Sequence, residues 1–158
     1  MARFEDKIDV DVPVSVAYDQ WTQFETFPEF MDGIESVTQN DDRTLSWSAK
    51  ILGRQKHWTA RITDQTPDTR VAWTSVEGAM NAGAVLFEPL GSDRTRVTLK
   101  LEVEPDGAVE SAGANLGLLE RQVKDSLDGF TEFSEHRREP TGAWRGEIHG
   151  REIRSPQS

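Results

Sequence analysis

Between residues 33 and 103 the sequence alternates between apolar and polar positions, and this pattern constrains the fold more than any other feature. In the stretch TLSWSAKI, for example, Leu45, Trp47, Ala49 and Ile51 share one face. A period of two is the side-chain period of a β-strand with one buried face. Six such stretches follow one another, with turns such as NDDR, TPDT and GSDR between them. Consecutive strands joined by short turns predict an antiparallel sheet.

A seventh strand precedes these six, because residues 4–12 alternate in the same way until Pro13, which cannot donate to a sheet. Two short helices are predicted after it, over residues 14–24 and 26–31, with Ser15 as a candidate N-cap for the first. After the sheet, apolar residues recur every three or four positions from about 111 to 138. That spacing predicts one long helix with a single apolar stripe.

This order of elements predicts an α+β fold for residues 1–138, in which a curled, seven-stranded antiparallel sheet wraps round the long C-terminal helix. A strongly twisted sheet of this kind can retain a hollow that the helix does not fill. The two short helices would then lie over one end of the hollow. Residues 139–158 show neither period and are predicted to be a polar tail that is disordered or docks loosely.

Composition excludes several classes of protein. The formal net charge is -10 and the few basic clusters are interleaved with acids, which argues against a nucleic-acid partner. The chain has no cysteine, so disulfide and thiolate chemistry are excluded. No run approaches the roughly 18 apolar residues of a membrane span. The first residues lack the apolar stretch of a signal peptide, so a cytoplasmic location is expected.

The sequence predicts no metal site, no cofactor and no catalytic constellation. His57, His136 and His149 are far apart and form no paired-histidine motif, and no GxSxG motif occurs. The alternation sends His57, Arg61 and Lys50 to the outer face of the sheet. A slip of one residue in this strand would turn His57 and Arg61 inward, so an enzymatic role stays open.

The inward-facing residues form a predicted binding wall. Ser75 and Asn81 are its polar members, expected either to orient a polar end of an apolar ligand or to satisfy local backbone. Phe27, Phe30 and Met31, from the aromatic-rich stretch WTQFETFPEFM, are expected either to close one end of the hollow or to pack as ordinary core. The full set of predicted ligand-binding residues is Phe27, Phe30, Met31, Trp47, Trp58, Trp73, Ser75, Asn81, Val85, Phe87, Leu99, Leu116, Leu119 and Val123.

Three stretches resemble a known superfamily: VPVSVAYDQWTQFETFPEFMDGIESV, VAWTSVEGAMNAGAVLFEPL and QVKDSLDGFTEF. They are similar to the START-like (SRPBCC) proteins, in particular to the bacterial polyketide cyclase/dehydrase and coenzyme Q-binding branch. The resemblance covers residues of about 4 to 138 and implies the helix-grip fold. It also implies a hydrophobic small molecule bound between sheet and long helix. Aromatase/cyclase members of the branch are thought to use Arg, Tyr, His or Asp inside that cavity.

Three functional hypotheses follow. The first is noncovalent binding or transport of a lipid, quinone or polyketide-like ligand, admitted between the short helices and the long helix near Gly113 and Gly117. The second is a polyketide cyclase/dehydrase that acts on a poly-β-ketone, which needs an ionisable residue facing inward. The third is a protein-interaction module that uses the tail around Trp144. The chain is expected to be a monomer or homodimer.

Overall fold

The computed structural model describes residues 2–31, 33–51, 53–103, 113–150 and 152–154. In chain order its elements are β1 (Ala2–Val10), α1 (Val14–Trp21), a 3₁₀ helix (Phe24–Glu29), β2 (Ile34–Gln39), β3 (Thr44–Ile51), β4 (Arg54–Thr66), β5 (Arg70–Gly78), β6 (Asn81–Pro89), β7 (Thr95–Val103), α2 (Gly113–Arg137), β8 (Glu147–His149) and β9 (Glu152–Arg154).

The sheet confirms the predicted architecture. Its strands lie in the order β1-β7-β6-β5-β4-β3-β2. Each neighbouring pair is antiparallel. The seven strands form a curled half-barrel that holds the long helix α2, and the two short helices follow β1 as expected. Two further strands, β8 and β9, were not predicted; β8 pairs with the end of β4, and β9 pairs with β8.

The register places the predicted inward residues on one face. Trp47 lies opposite Trp58, and Val85 lies opposite Leu99. The ring of Trp47 is 5.8 Å from that of the buried Phe27, which identifies the face shared by these residues as the concave, core-facing one. The alternation in the sequence therefore assigned the two faces of the sheet correctly, because a period of two is fixed by strand geometry.

An aromatic cluster joins the helices to the sheet. Trp21 contacts Phe27, Phe87 and Phe130 edge to face, at centroid distances of 5.3, 6.4 and 4.9 Å. Tyr18 makes the same kind of contact with Phe87, at 5.4 Å. Edge-to-face pairs add about 0.5–1.5 kcal/mol each to the free energy of burial. The cluster thus ties α1 and the 3₁₀ helix to both β6 and α2.

The two α-helices differ from expectation in detail. Helix α1 begins at Val14 with Pro13 at the N-cap position and no side-chain cap, so Ser15 is not the cap. In α2, a Cβ atom added at Gly129 would run into the carbonyl oxygen of Phe30. Gly129 therefore permits a close approach of the two backbones, which explains a residue that is otherwise unfavourable inside a helix. Among the described residues, neither helix is long and apolar enough to cross a membrane.

The C-terminal segment, residues 139–150, is packed against the domain, and the expectation of a disordered or loosely docked tail is wrong there. Ile148 is 0% exposed and pairs with Gln65 of β4. Trp144 packs against the buried core, although the third hypothesis had assigned it to a partner. A single buried isoleucine in a three-residue strand leaves no periodic signal in the sequence, which explains the error. The boundary at residue 138 stays a prediction.

Polar contacts fasten this segment to α1. The side chain of Gln20, 1% exposed, accepts a hydrogen bond from the Thr141 N–H at 2.8 Å. Arg145 bridges Asp19 and Asp68, and its guanidinium lies 5.5 Å from the ring centroid of Tyr18. Burial raises the pKa of Asp19, against the opposing effect of Arg145, and burial raises the pKa of Tyr18 to about 12. Residues 139–150 therefore hold α1 against β4 and the following turn.

Candidate ligand-binding site

Among the described residues, the concave face of the sheet is fully covered at one end only. At the covered end, the large inward side chains of Leu45, Ile62, Val71, Val85 and Val97 are at most 2% exposed. At the other end, the large inward side chains of the described residues are only half-buried, although the small Ala49 and Ser75 are buried. This open end comprises Trp47, Trp58, Trp73, Leu101 and Val103. Apolar side chains that point toward the interior and still keep exposed surface indicate a region that the fold does not fill.

Helix α2 shows the same gradient. Its C-terminal half contributes Leu127 and Phe130, which are 1% and 0% exposed, to the covered end. Within residues 117–126 no side chain is fully buried, and Leu119 and Val123 are half-buried. The Gln122 amide nitrogen donates to the Lys50 carbonyl oxygen at 3.0 Å, which fastens this half of the helix near the end of β3.

Three tryptophans dominate the open end. The rings of Trp47 and Trp58 stack with centroids 5.7 Å apart and planes 7° from parallel. All three tryptophans are half-buried. Trp47 and Trp73 pack against the buried core, whereas Trp58 is not among the described side chains that do so. The indole of Trp73 lies over Gly83, where an added Cβ would come within 2.7 Å of the ring. The glycine therefore makes room for the indole on the sheet.

The predicted polar members of the wall bond to each other and to their own hairpin. The Asn81 N–H donates to Ser75 Oγ at 3.0 Å, and the Asn81 side-chain amide donates to the Ala79 carbonyl at 3.1 Å. The Trp73 indole N–H donates to Asn81 Oδ1 at 3.1 Å. Ser75 Oγ also lies 3.9 Å from the sulfur of Met80. These bonds stabilise the β5–β6 hairpin, so Ser75 and Asn81 have little capacity left for a ligand.

One buried donor in this region is unused. The indole nitrogen of Trp47 is buried and has no hydrogen-bond partner in the part of the chain that the structure describes. A buried N–H without an acceptor costs about 1–3 kcal/mol. Trp47 and Trp73 therefore differ, since one indole is satisfied within the protein and the other is not.

The structure brings most of the predicted site residues together on the concave face, at different depths. Val85, Phe87 and Leu99 belong to the covered end and are at most 9% exposed. The predicted residue Leu116 lies in α2, but its side chain is outside the described residues. Whether any of these side chains contacts a ligand stays a prediction.

Phe27, Phe30 and Met31, the expected closing residues, lie in the aromatic core. Phe27 and Met31 are 2% and 6% exposed. Phe30 is half-buried and contacts Phe130 and Phe133, with ring centroids 6.0 and 4.6 Å apart. These contacts bind the end of the 3₁₀ helix to α2. Phe27 also contacts Trp47, with ring centroids 5.8 Å apart, so Phe27 lies between the aromatic core and the open end.

Ionisable groups are sparse on the inner face. His57 and Arg61 are exposed and lie opposite Ser48 and Thr44, on the outer face as predicted. Asp6 was missed: it lies opposite Leu99 on the inner face, is half-buried, and accepts a hydrogen bond from the Lys7 N–H at 2.9 Å. Extending the alternation of β1 back from Ile8 by two positions would have found it. The described residues contain no group of three or more His, Asp or Glu side chains that could hold a metal.

The outer face carries a groove of different chemistry. It has a volume of about 560 Å³ and opens to solvent between β2 and β5. The outward side chains that line it are mostly hydroxyls: Ser36, Thr38, Ser46, Ser48 and Thr59, with His57 and Glu77. Trp47, Trp58 and Gly78, from the same strands, complete the lining. Because this groove is open to solvent and is lined by hydroxyl and charged side chains, it suits an apolar ligand less well than the concave face, which is the candidate site.

Comparison with known protein families identifies the family of this chain. A family model described as "Polyketide cyclase / dehydrase and lipid transport" matches residues 10–130. The chain belongs to this family. The match spans the two short helices, strands β2 to β7 and α2 as far as Phe130, which are the elements around the concave face. It ends before residues 139–150, so the C-terminal segment lies outside the part that defines the family.

Individual relatives agree with this assignment. An uncharacterized 17.2 kDa protein from the melC2–rnhH intergenic region of Streptomyces lincolnensis is 46% identical over 149 residues, covering 94% of this chain and 99% of that protein. The Zhui aromatase/cyclase of Streptomyces sp. R1128 has a similar structure, with a TM-score of 0.72, 15% identity, and coverage of 86% of this chain and 94% of that one. A START superfamily protein of Mycobacterium smegmatis is also similar, with a TM-score of 0.65, 16% identity, and coverage of 85% of this chain and 95% of that one. The two structural similarities show the helix-grip fold.

Proposed function

We propose that the protein binds a hydrophobic small molecule, such as a lipid, quinone or polyketide-like compound, and carries it without a covalent step. The ligand lies on the concave face at the open end, beneath the N-terminal half of α2. One observation carries the proposal: Trp47, Trp58 and Trp73 point toward the interior of the fold and are nevertheless only half-buried. A protein gains stability by covering such surface, so its exposure is explained best by a ligand that covers it.

The energy available is sufficient for useful affinity. Covering about 200 Å² of apolar surface on the protein, and a similar area on the ligand, is worth roughly 10 kcal/mol at about 25 cal/mol per Å². Loss of ligand freedom on binding costs about 4–6 kcal/mol, so the net of about 4–6 kcal/mol corresponds to dissociation constants from about 1 mM to tens of micromolar. The family description, which includes lipid transport, agrees with such a role.

The test has two arms. Native mass spectrometry of protein purified from a bacterial host is expected to show a co-purified apolar compound. Calorimetric titration with a fatty acid, a short-chain quinone and an aromatic polyketide should then identify a class that binds, and Trp58→Ala should weaken that binding about tenfold. Trp144→Ala is the matched control, because Trp144 packs in the C-terminal segment. Absence of binding for all three classes, in protein that carries nothing, would refute the proposal.

A second function, cyclase or dehydrase activity on a poly-β-ketone, is favoured by one residue. Asp6 places a carboxylate on the inner face, opposite Leu99, and a carboxylate so placed can accept a proton from a substrate carbon. If the protein acts as such an enzyme, Asp6→Asn should abolish formation of cyclised product while leaving the binding of an apolar ligand unchanged. Product formation by the Asn variant at the wild-type rate would remove Asp6 from consideration.

A further inference from the structure

Two tryptophans on the concave face differ in whether their polar atom is satisfied. Trp73 donates its indole N–H to Asn81 Oδ1 at 3.1 Å. The indole nitrogen of Trp47 is buried and lacks a partner among the described residues. Native proteins rarely leave a buried donor unpaired, since the loss of hydration is then uncompensated. An acceptor supplied from outside the chain would remove this cost.

The surroundings of Trp47 restrict what that acceptor can be. One neighbouring ring is Phe27, at 5.8 Å, and another is Trp58, stacked at 5.7 Å. The nearby residues Ser75 and Asn81 are engaged with each other and with their hairpin. The basic side chains of Arg61 and His57 lie on the opposite face. Among the described residues, the rings next to the indole are aromatic, and the charged side chains that share a groove with Trp47 (His57 and Glu77) lie on the outer face. This disfavours an anion at the indole nitrogen and favours a neutral oxygen.

We infer that Trp47 is a specificity-determining residue, whose indole N–H donates a hydrogen bond to a neutral carbonyl oxygen of the bound ligand. This inference rests on the proposed function and narrows it: the ligand is a flat aromatic or conjugated ketone, quinone or ester, and not a plain hydrocarbon or a free carboxylate. The nearly parallel Trp47 and Trp58 rings favour a flat partner, because aromatic planes stack with an offset. The acceptor displaces the side-chain atoms that now cover the indole nitrogen.

A matched pair of probes tests this inference. The ketone 2-acetylnaphthalene and the hydrocarbon 2-ethylnaphthalene have almost the same shape, and they differ in one carbonyl oxygen. Wild-type protein is expected to bind both in calorimetric titrations. Trp47→Phe, which keeps an aromatic ring and removes the N–H, should weaken the ketone about three- to tenfold, the net worth of one hydrogen bond. The same variant should change the affinity for the hydrocarbon less than twofold.

The control variant is Trp73→Phe. Its N–H is already bonded to Asn81, so its loss should affect the ketone and the hydrocarbon equally. A second measurement needs no substitution: of the five tryptophan indole signals in a ¹H–¹⁵N spectrum of the wild type, that of Trp47 should move downfield with the ketone and not with the hydrocarbon. This readout remains available if Trp47→Phe does not fold.

The outcomes separate the two proposals. If wild-type protein binds both probes and Trp47→Phe weakens them equally or not at all, with no selective shift of the indole signal, the role of Trp47 is wrong and the binding function stands. If wild-type protein binds neither probe, aromatic ligands are excluded and the role of Trp47 is overturned with them. The broader binding function is then decided by the fatty-acid and quinone titrations.

Discussion

Two glycines of the same helix should respond to alanine with opposite signs. In α2, a Cβ atom at Gly129 would overlap the backbone carbonyl of Phe30, whereas at Gly117 no described atom lies within 4 Å of the added Cβ. Alanine is favoured over glycine inside a helix by about 1 kcal/mol, so Gly117→Ala should raise the free energy of unfolding by up to that amount. Forced overpacking costs about 1–3 kcal/mol. We expect Gly129→Ala to lower the free energy of unfolding by a net of up to about 2 kcal/mol.

The contact explains why relief is difficult at Gly129. The obstacle is backbone, and it belongs to the residue whose ring packs on Phe130 and Phe133. Urea titration followed by tryptophan fluorescence measures the free energy of unfolding of both variants. In thermal unfolding, a change of 1 kcal/mol corresponds to about 2–4 °C in Tm for a chain of this size. If Gly129→Ala proves as stable as Gly117→Ala, the helix can move away from the 3₁₀ helix freely. The close approach would then not be a constraint.

Three other predictions concern the C-terminal segment and the hairpin. Ile148→Ala should lower the free energy of unfolding by about 2–4 kcal/mol in urea titrations, because Ile148 is 0% exposed, whereas alanine at the exposed Ile153 should change it little. Burial raises the pKa of Asp19 in the folded state, so its contribution to stability is fully present below pH 3.8 and is lost as pH rises through the folded pKa. Asp19→Asn should therefore flatten the pH dependence of Tm just above pH 3.8, and an unchanged slope would contradict this. Asn81→Ala should lower stability by about 1–3 kcal/mol, since the Trp73 N–H loses its acceptor, while Ser75 keeps the backbone N–H of residue 81; a smaller loss in thermal unfolding would indicate that water replaces the amide.

The sequence predicted the sheet well because the period of two is visible within a few residues and fixes the face of the sheet on which each side chain lies. Trp47 and Trp73 lie two positions after the buried Leu45 and Val71 on their strands, and Trp58 lies opposite Trp47. All three side chains must therefore lie on the inner face. The same reasoning, carried two residues further in β1, reaches Asp6. The long apolar stripe of α2 was equally informative, since it ends in the fully buried Leu127 and Phe130.

The sequence could not predict contacts that depend on particular side-chain geometry. Ser75 and Asn81 have the right parity for a ligand, but the bonds between them arise from the tight β5–β6 hairpin. The docking of residues 139–150 depends on isolated partners, such as Arg145 with Asp19 and Thr141 with Gln20. Each pair is separated by more than a hundred positions in the chain, and neither follows a period. Such pairings become visible only when the fold has brought their members together.

The contrast between the two ends of the sheet has a consequence for how such a protein can diversify. At the covered end, Tyr18, Trp21, Phe87 and Phe130 meet in ring contacts and are at most 6% exposed, so substitutions there remove well-packed surface. Trp58, Leu101 and Val103 are only half-buried, so substitutions there should cost the fold less stability. If the open end binds a ligand as we propose, stability and selectivity depend on different residues of the same sheet, and selectivity can change at a small cost in stability.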